Sequence, residues 1–571
     1  MKMNLDVGHE YLDPITVEVV RNKLDGIANE MEMTLVRSAF SPIVKEGLDA
    51  SASLFTSNGE TLAQAIAIPI HLATLIPIVR KILDEFPLKS MHNGDIFIMN
   101  DPYLGGTHLP DIALVKPIFI NDTPIALSAC MTHHQDVGGM APGSVPTTAT
   151  EIFQEGVRIP PLKFWEGGKE NETLVRFLRQ NVRIPETFFG DLNAQVASCN
   201  VGERRLRELA TKFNQKELCA IFEELLNRSE TLTRKALCAI PQGKYEYVDY
   251  LDNDGIDLNK PVRIKVSVIL KDGEMLCDFE GTDQAVKGPF NCVPSGTLAA
   301  AYFAVRAVTG PNIPTNGGCF RPVKLNLPNG SLVNPNAPAP VNSRTATIKR
   351  ITCCILGALR QALPNIIPAD GACSQHVLMF SGLRSDGIHF VVGEMLASGS
   401  GASAFSDGVD DIETDATNCM NLPAEALEMD APIRVNKTAL RSGSGGAGCF
   451  RGGLGLVREY EVLDGEIAVT HRGERHFYAA KGANCGKDGE PADSRIIRQD
   501  GTEEVIPSKR MFTLNSGDRM IVKTAGGGGY GEPYKRMENL LRNDLLNGKV
   551  TALEADKNYK NNPNNDSLEK L

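Results

Sequence analysis

Hydrophobic periodicity changes in blocks along this chain of 571 residues, and that blockwise change is what most restricts its fold. Residues 14 to 40 carry Val20, Leu24, Ile27, Met31 and Leu35 at the 4-3-4-4 spacing of one helix face, with Pro14 placed to precede a helix. From Pro69 to Val137, short apolar runs (Ile96 to Met99, Ile112 to Ile120, Ile125 to Met131) alternate with turn-rich polar segments and predict strands feeding loops. Residues 171 to 240 turn helical and charge-rich, and the leucine-rich stretch from Leu206 through Leu225 is expected to pack as helical hairpins. Val262, Ile264, Val266 and Val268, then Asp272-Gly273, then Met275, Cys277 and Phe279 predict a β-hairpin, and a second is expected at 457 to 470 around Asp464-Gly465. The proline- and asparagine-rich segment from Asn326 to Arg344 reads as a connector. A helix follows it, with Ile348, Ile351, Ile355 and Leu359 on one face, Thr345 as its cap and Pro364 as its stop.

Helices and strands grouped in this way favour an α+β fold over a regular alternating barrel: a large mixed multi-layer subunit with a helical N-terminal part and a β-rich C-terminal part. The expected units are 1–240 with its helical hairpins, a β-rich segment 241–345, a mixed α/β region 346–533 and a helical to disordered tail 534–571. From about Lys557 that tail lacks core-forming residues.

A net charge of −11 and the lack of any dense Lys/Arg run argue against nucleic acid, because phosphate binding needs a basic face. The longest apolar stretch, Ile66 to Val79, contains two prolines and His71 and is too short to span a bilayer, and the N-terminus lacks the apolar core of a secretory signal. Thirteen scattered cysteines without a C-x-x-C pair indicate neither a zinc knuckle nor a disulfide framework, so the chain is expected in a reducing cytoplasm, with most cysteines, Cys353 and Cys354 included, acting as small buried hydrophobes.

The densest polar cluster runs from Asn100-Asp101-Pro102 through Gly105-Gly106-Thr107-His108 to Asp111, and continues after an apolar strand as His133-His134-Gln135-Asp136-Val137-Gly138-Gly139. Three of the ten histidines fall between Asp101 and Asp136, together with Asp111 and Asp122. Imidazole and carboxylate suit divalent Zn, Fe or Mn, and two His with one or two carboxylates leave positions open for water or substrate. His108 and Asp111, three apart in a loop, can converge on one ion, with His133 at a strand end as a fixed arm and His134 pointing the other way if the strand persists. This makes 1–240 the expected metal-site region. The bland alternative has Asp101 and Asp111 capping turns and the histidines satisfied by backbone. On residue grounds alone Asp49 is a surface or capping acid, and His71 a core histidine.

Two glycine-rich tracts invite a phosphate reading. The tract from Gly443 to Gly448 matches G-x-G-x-x-G but leads into a β pattern, and Thr524 to Gly531 lacks a following Gly-Lys-Ser/Thr, so close backbone packing is expected of both and no nucleotide site. Arg441, Arg451, Arg472 and Arg475 lie near these turns. They could hold an anionic intermediate, although solvated faces are the commoner fate.

Asp13-Pro14-Ile15-Thr16-Val17-Glu18-Val19-Val20, the Asn100-Asp101-Pro102 to Asp111 motif, the His-His-x-Asp-Val-Gly-Gly run, Glu155-Gly156-Val157-Arg158-Ile159-Pro160-Pro161 and Phe450-Arg451-Gly452-Gly453-Leu454-Gly455 resemble the B-type component of the ATP-dependent hydantoinase and 5-oxoprolinase family over about residues 13 to 533. The family includes N-methylhydantoinase, caprolactamase, the C-terminal half of 5-oxoprolinase and related subunits of acetone and acetophenone carboxylases. The resemblance implies a cytoplasmic hetero-oligomer in which an A-type ATPase partner consumes ATP to phosphorylate a small-molecule substrate. This chain then opens a cyclic amide (hydantoin, 5-oxoproline or lactam) with the help of one divalent metal ion. It carries the metal ligands onto Asp49, His108, Asp111 and His133, puts His134 and Asp136 in the surrounding shell or in proton transfer, and places His71 in the same cavity. The chain departs from the family pattern at Gly47, where Arg is common, and at Ser442-Gly443, where Pro-Asp is usual. The rival readings are a subunit of an ATP-dependent ketone carboxylase and a non-catalytic scaffold for the ATPase.

Overall fold

The computed structural model describes residues 12–72 and 74–559, and it has the α+β organisation expected from the sequence. The N-terminal helix Pro14–Ser38 is capped by Asp13, whose carboxylate accepts from the amides of Ile15 and Thr16, while Pro14 occupies the first turn where no amide is needed. Its buried stripe, Val17 to Leu35, includes all five apolar positions read from the spacing.

That stripe faces a seven-stranded antiparallel sheet built from β1 (Ala50–Thr56), β2 (Thr61–Gln64), β3 (Ile96–Met99), β4 (Asp111–Ile120), β5 (Thr123–His133), β6 (Leu162–Glu166) and β7 (Lys169–Glu170) in the order β2-β1-β5-β4-β3-β6-β7. The helix Pro185–Ala210 packs along the N-terminal helix and across β4 and β5, while Gln215–Cys238 lies mainly against the short helix Gly317–Phe320. The two long helices therefore do not close on each other as the expected hairpin. Phe188, Leu192, Val196 and Cys199 of the first are buried, so its apolar side is taken up by the sheet.

A second sheet, ordered β11-β10-β9-β8, contains β8 (Gly243–Leu251), β9 (Val262–Lys271), β10 (Glu274–Asp278) and β11 (Val323–Asn326). The β9–β10 hairpin turns at Asp272 (φ 51°) and Gly273 (φ 75°), the left-handed pair that an Asp-Gly turn of this type requires. The helix after the connector spans Arg344–Ala362. Ser343, not Thr345, takes its cap position, and the Thr345 hydroxyl instead accepts from the Arg344 guanidinium.

The C-terminal half supplies β12 (His376–Leu383), β13 (His389–Leu396), β14 (Ile433–Leu440), β15 (Leu456–Val462), β16 (Glu466–Arg472), β17 (Asp493–Ile497), β18 (Glu503–Val505), β19 (Lys509–Asn515) and β20 (Arg519–Lys523). They form two sheets, β13-β12-β16-β19 and β14-β15-β20-β17-β18, packed through Leu378, Phe380, Val469, Tyr460, Ile496 and Val522. The expected hairpin at 457 to 470 is thus not one. β15 pairs with β14 and β20, β16 pairs with β12 and β19, and Asp464-Gly465 carries the chain from one sheet to the other.

The glycine tracts are close-packed backbone. A Cβ on Gly526 would lie 1.8 Å from the Ser444 oxygen and one on Gly527 1.9 Å from the Ser400 oxygen. The amides of Gly526, Gly527, Gly528 and Gly529 already donate to the carbonyls of Glu490, Gly453, Asp370 and Lys487, so none is left for a phosphate. All thirteen cysteines are free; most are buried, with Cys219, Cys238 and Cys485 exposed. Among the described residues no helix is long and apolar enough to cross a membrane. Helix persists to Tyr559, and the remainder of the expected tail, 560–571, lies outside the described residues.

Candidate metal centre

The register of three adjacent strands brings distant residues to one edge. Ala50 at the start of β1 pairs with Thr132, and Asp111 at the start of β4 pairs with His133 at the end of β5. The His133 amide also donates to the Asp49 carbonyl at 3.1 Å. Asp49, Asp111 and His133 therefore share one end of the sheet. His108 enters from the loop before β4, which Asn100 ties down: its Nδ2 donates to the carbonyls of Leu109 (2.7 Å) and Val157 (2.9 Å), and its Oδ1 accepts from the Ile159 amide (2.7 Å). Gly106 is required in this loop, because a Cβ there would stand 2.6 Å from the Asn100 carbonyl oxygen.

His108 Nε2 lies 3.0 Å from Asp111 Oδ1 and 3.2 Å from His133 Nδ1, and His133 Nδ1 lies 3.4 Å from the same carboxylate oxygen. Asp49 Oδ2 is 4.0 Å from His133 Nδ1. His71 Nε2 sits 3.7 Å from both Asp49 and Asp111. His108 Nδ1 faces the Asn342 carbonyl at 2.8 Å and so must be the protonated nitrogen, which leaves the Nε2 lone pair aimed into the group. Burial, reinforced by the Arg344 cation, pushes the His108 pKa down to about 3 and keeps the ring neutral. Burial alone would raise Asp111, but the Arg344 cation against its other oxygen outweighs it and holds that carboxyl well below its usual range. The second Asp111 oxygen accepts from the Arg344 guanidinium and the Thr107 hydroxyl.

The residues fit a divalent ion. Two ligands each about 2.0–2.1 Å from a tetrahedral centre stand roughly 3.3 Å apart, the spacing of the His108, Asp111 and His133 donor atoms. Two imidazoles and two carboxylates are also a donor set that Zn, Mn and Fe accept.

Other candidates are placed elsewhere. His134 points to the opposite face, with Nε2 3.0 Å from Gln195 Oε1 and its ring 4.7 Å from that of Phe188. Asp136 accepts from the amides of Gly138, Gly143 and Arg183 and pairs with the Arg183 guanidinium at 2.9 Å, which shapes the loop after β5. Asp101 caps a turn, accepting from Tyr103, as the bland reading of that residue has it. Asp122 lies in the β4–β5 turn (φ 62°), at the far end of those strands from Asp111 and His133. Thr107 lies within the polar cluster that the sequence marks, whereas Arg344 and the Asn342 carbonyl reach the site from a segment that no local pattern ties to it.

Asp49, His71, His133 and Arg344 line a cavity with an apolar side that includes Ile43, Ile68, Ile70, Val145, Val377 and Met379, and a polar side of Thr345, Gln375, Thr417, Arg472 and Glu394, the last paired with Arg458 at 2.7 Å. Gly47, the first departure from the family pattern, lies beside it: a Cβ there would stand 2.6 Å from the Ile43 carbonyl oxygen and 3.1 Å from Met395 Cε.

A family model described as Hydantoinase B/oxoprolinase matches residues 13–533. The chain is 32% identical over 564 residues to the B component of a putative D-/L-hydantoinase of Pseudomonas sp. (strain NS671), covering 95% of this chain and 94% of the relative. It is 32% identical over 553 residues to the beta chain of the caprolactamase of Pseudomonas jessenii, covering 95% and 94%. The crystal structure of the ATP-dependent caprolactamase from Pseudomonas jessenii superposes with a TM-score of 0.91 at 30% identity, over 96% of each chain. An acetone carboxylase, at 18% identity and a TM-score of 0.88 over 96% of this chain and 79% of the other, shares the fold.

Proposed function

The chain belongs to the hydantoinase B/oxoprolinase family, and from that premise we propose that it is the metal-dependent subunit of an ATP-dependent enzyme that opens a cyclic amide, the amide oxygen being phosphorylated beforehand by an ATPase partner. Hydantoins, 5-oxoproline and lactams are the substrate class. The observation that carries this reading is the convergence of His108, Asp111 and His133 donor atoms within 3.4 Å beside a cavity with an apolar side.

Asp49, His108, Asp111 and His133 would hold one divalent ion. Such an ion supplies Lewis acidity and brings the pKa of a coordinated water toward about 7. The chain's own residues prepare the site. The Asn342 carbonyl fixes the His108 tautomer, and Arg344 keeps Asp111 ionised. His71, with Nε2 3.7 Å from both carboxylates, is the imidazole positioned to take up a proton at that atom, a role that the partners of His134 and Asp136 withhold from those two residues. Ile43, Ile68, Ile70, Val377 and Met379 give the cavity an apolar wall beside these donor atoms.

Co-purification with the ATPase partner, followed by a screen of ATP hydrolysis against hydantoins, 5-oxoproline, lactams and ketones, tests this reading. Ring opening of a cyclic amide is the expected result, lost in His108→Ala while the partner's ATP turnover partly persists. Bicarbonate-dependent consumption of a ketone, full ring opening by metal-depleted protein, or a substoichiometric metal content in carefully purified protein would overturn it.

A further inference from the structure

The four arginines near the glycine-rich turns have different fates, and none of them lies on a solvated face. Arg451 pairs with Asp410 at 3.1 Å and Arg475 with Asp249 at 2.9 Å. Arg441, half-buried, donates to the carbonyls of Pro491 (2.5 Å) and Thr524 (3.0 Å). Arg472 has nothing comparable. It is only 5% exposed, its Nη1 is buried without a hydrogen-bond partner, and it forms no ion pair among the described residues. Glu474, a carboxylate whose charge it feels, is already engaged by Lys509 and by the Asp252 amide.

The direction of Arg472 follows from the sheet. On β16, His471 turns toward Ser494 in the neighbouring sheet, with Nε2 2.9 Å from the Ser494 hydroxyl. Strand alternation sends Arg472 to the other face, the face of its cross-strand partner Val377, and both line the cavity that holds Asp49, His71, His133 and Arg344. A guanidinium taken out of water without a counter-charge is costly, and a chain that keeps one leaves the counter-charge to a ligand. Arg344 is partly spent on Asp111, so the planar fork left free in the cavity is that of Arg472.

We propose that Arg472 is the oxyanion-binding residue of this cavity, taking the phosphoryl group of an activated substrate beside the His108-Asp111-His133 centre. The phosphoryl source rests on the ATP-dependent reading above; a carboxylate on the substrate itself offers the same chemistry. Burial and the nearby Arg344 lower the Arg472 pKa to about 9, so the side chain is still a cation at neutral pH.

The test titrates inorganic phosphate, and separately acetate, into the metal-loaded full chain by calorimetry, comparing wild type, Arg472→Lys and Arg472→Met at equal metal content. Phosphate is expected to bind wild type, with affinity falling about 10-fold or more in Arg472→Met and less in Arg472→Lys. Acetate binding that depends on Arg472 without phosphate binding keeps the subsite but overturns the phosphoryl assignment. Equal phosphate affinity in folded wild type and Arg472→Met, or no binding of either anion, overturns the proposal. Should Arg472→Met fail to fold, tungstate soaked into crystals of wild type decides. Density within about 3.2 Å of the guanidinium supports the site, and density confined to the metal ion, or none, refutes it. Phosphate affinity is read without turnover, so a failure of ring opening in the complex and a failure of this subsite are separate results.

Discussion

Among the described residues three groups of three ligand-type side chains come together, and the two that contain histidine differ in what surrounds them. His108, Asp111 and His133 face one another with a carboxylate among them, Asp49 and His71 close by, and the His108 tautomer fixed by a carbonyl. His376, His471 and His476 also bring their donor atoms within 4.8 Å of one another, made possible by Gly473, where a Cβ would stand 2.6 Å from His376 Nε2. This second group has no carboxylate among its donors. Asp252, 3.7 Å from His476 Nδ1, is taken up by the amides of His476 and Phe477, and burial together with the other two histidines and Arg441 holds His376 well below its usual pKa. The two groups thus differ in charge: the first sets carboxylates beside its imidazoles, and the second offers imidazoles alone.

The largest effect that would break this contrast is on bound metal. His108→Ala should weaken metal binding by more than about 100-fold, beyond the loss seen for groups one step removed from an ion, with secondary structure intact; elemental analysis and circular dichroism check both. Arg344→Met, which removes the partner of Asp111, should weaken it by about 10–100-fold, read by chelator competition. His134→Leu should leave the metal content unchanged and lower stability by about 1–3 kcal/mol, because it strands the Gln195 side-chain oxygen, as denaturant unfolding would register. His376→Leu is expected to do least. Both its ring nitrogens lack partners, so replacing it with an apolar side chain should shift stability by less than about 1 kcal/mol and remove no metal. Loss of a metal equivalent in this last variant would erase the distinction between the two groups.

What the sequence made legible follows the reach of its signals. Apolar runs at 96–99, 112–120 and 125–131 mark β3, β4 and β5, and strand period alone sets His134 against His133. His108 and Asp111 are three residues apart, and a local pattern finds them. Arg344 and Asn342 join the same site from more than 230 positions away, at the junction of the connector with the helix that follows it, and no local pattern reports such an encounter. The Asp464-Gly465 turn is real, but a turn signal says that the chain reverses and not which sheet edge receives the next strand. Asp49 and His71 look ordinary in their own segments; only the family resemblance singles them out in the sequence, and the register of β1 against β5 is what brings Asp49 to the site.

The placement of Asp49, Asp111 and His133 at the hydrogen-bonded ends of β1, β4 and β5 has a consequence for assembly. Their separation is dictated by ladder geometry, strands standing about 4.8 Å apart, so the candidate site takes its shape from the backbone. Unlike a zinc finger, whose polypeptide collapses when its metal is withdrawn, this protein is expected to stay native whether or not an ion occupies the site, which thermal unfolding with and without chelator would register.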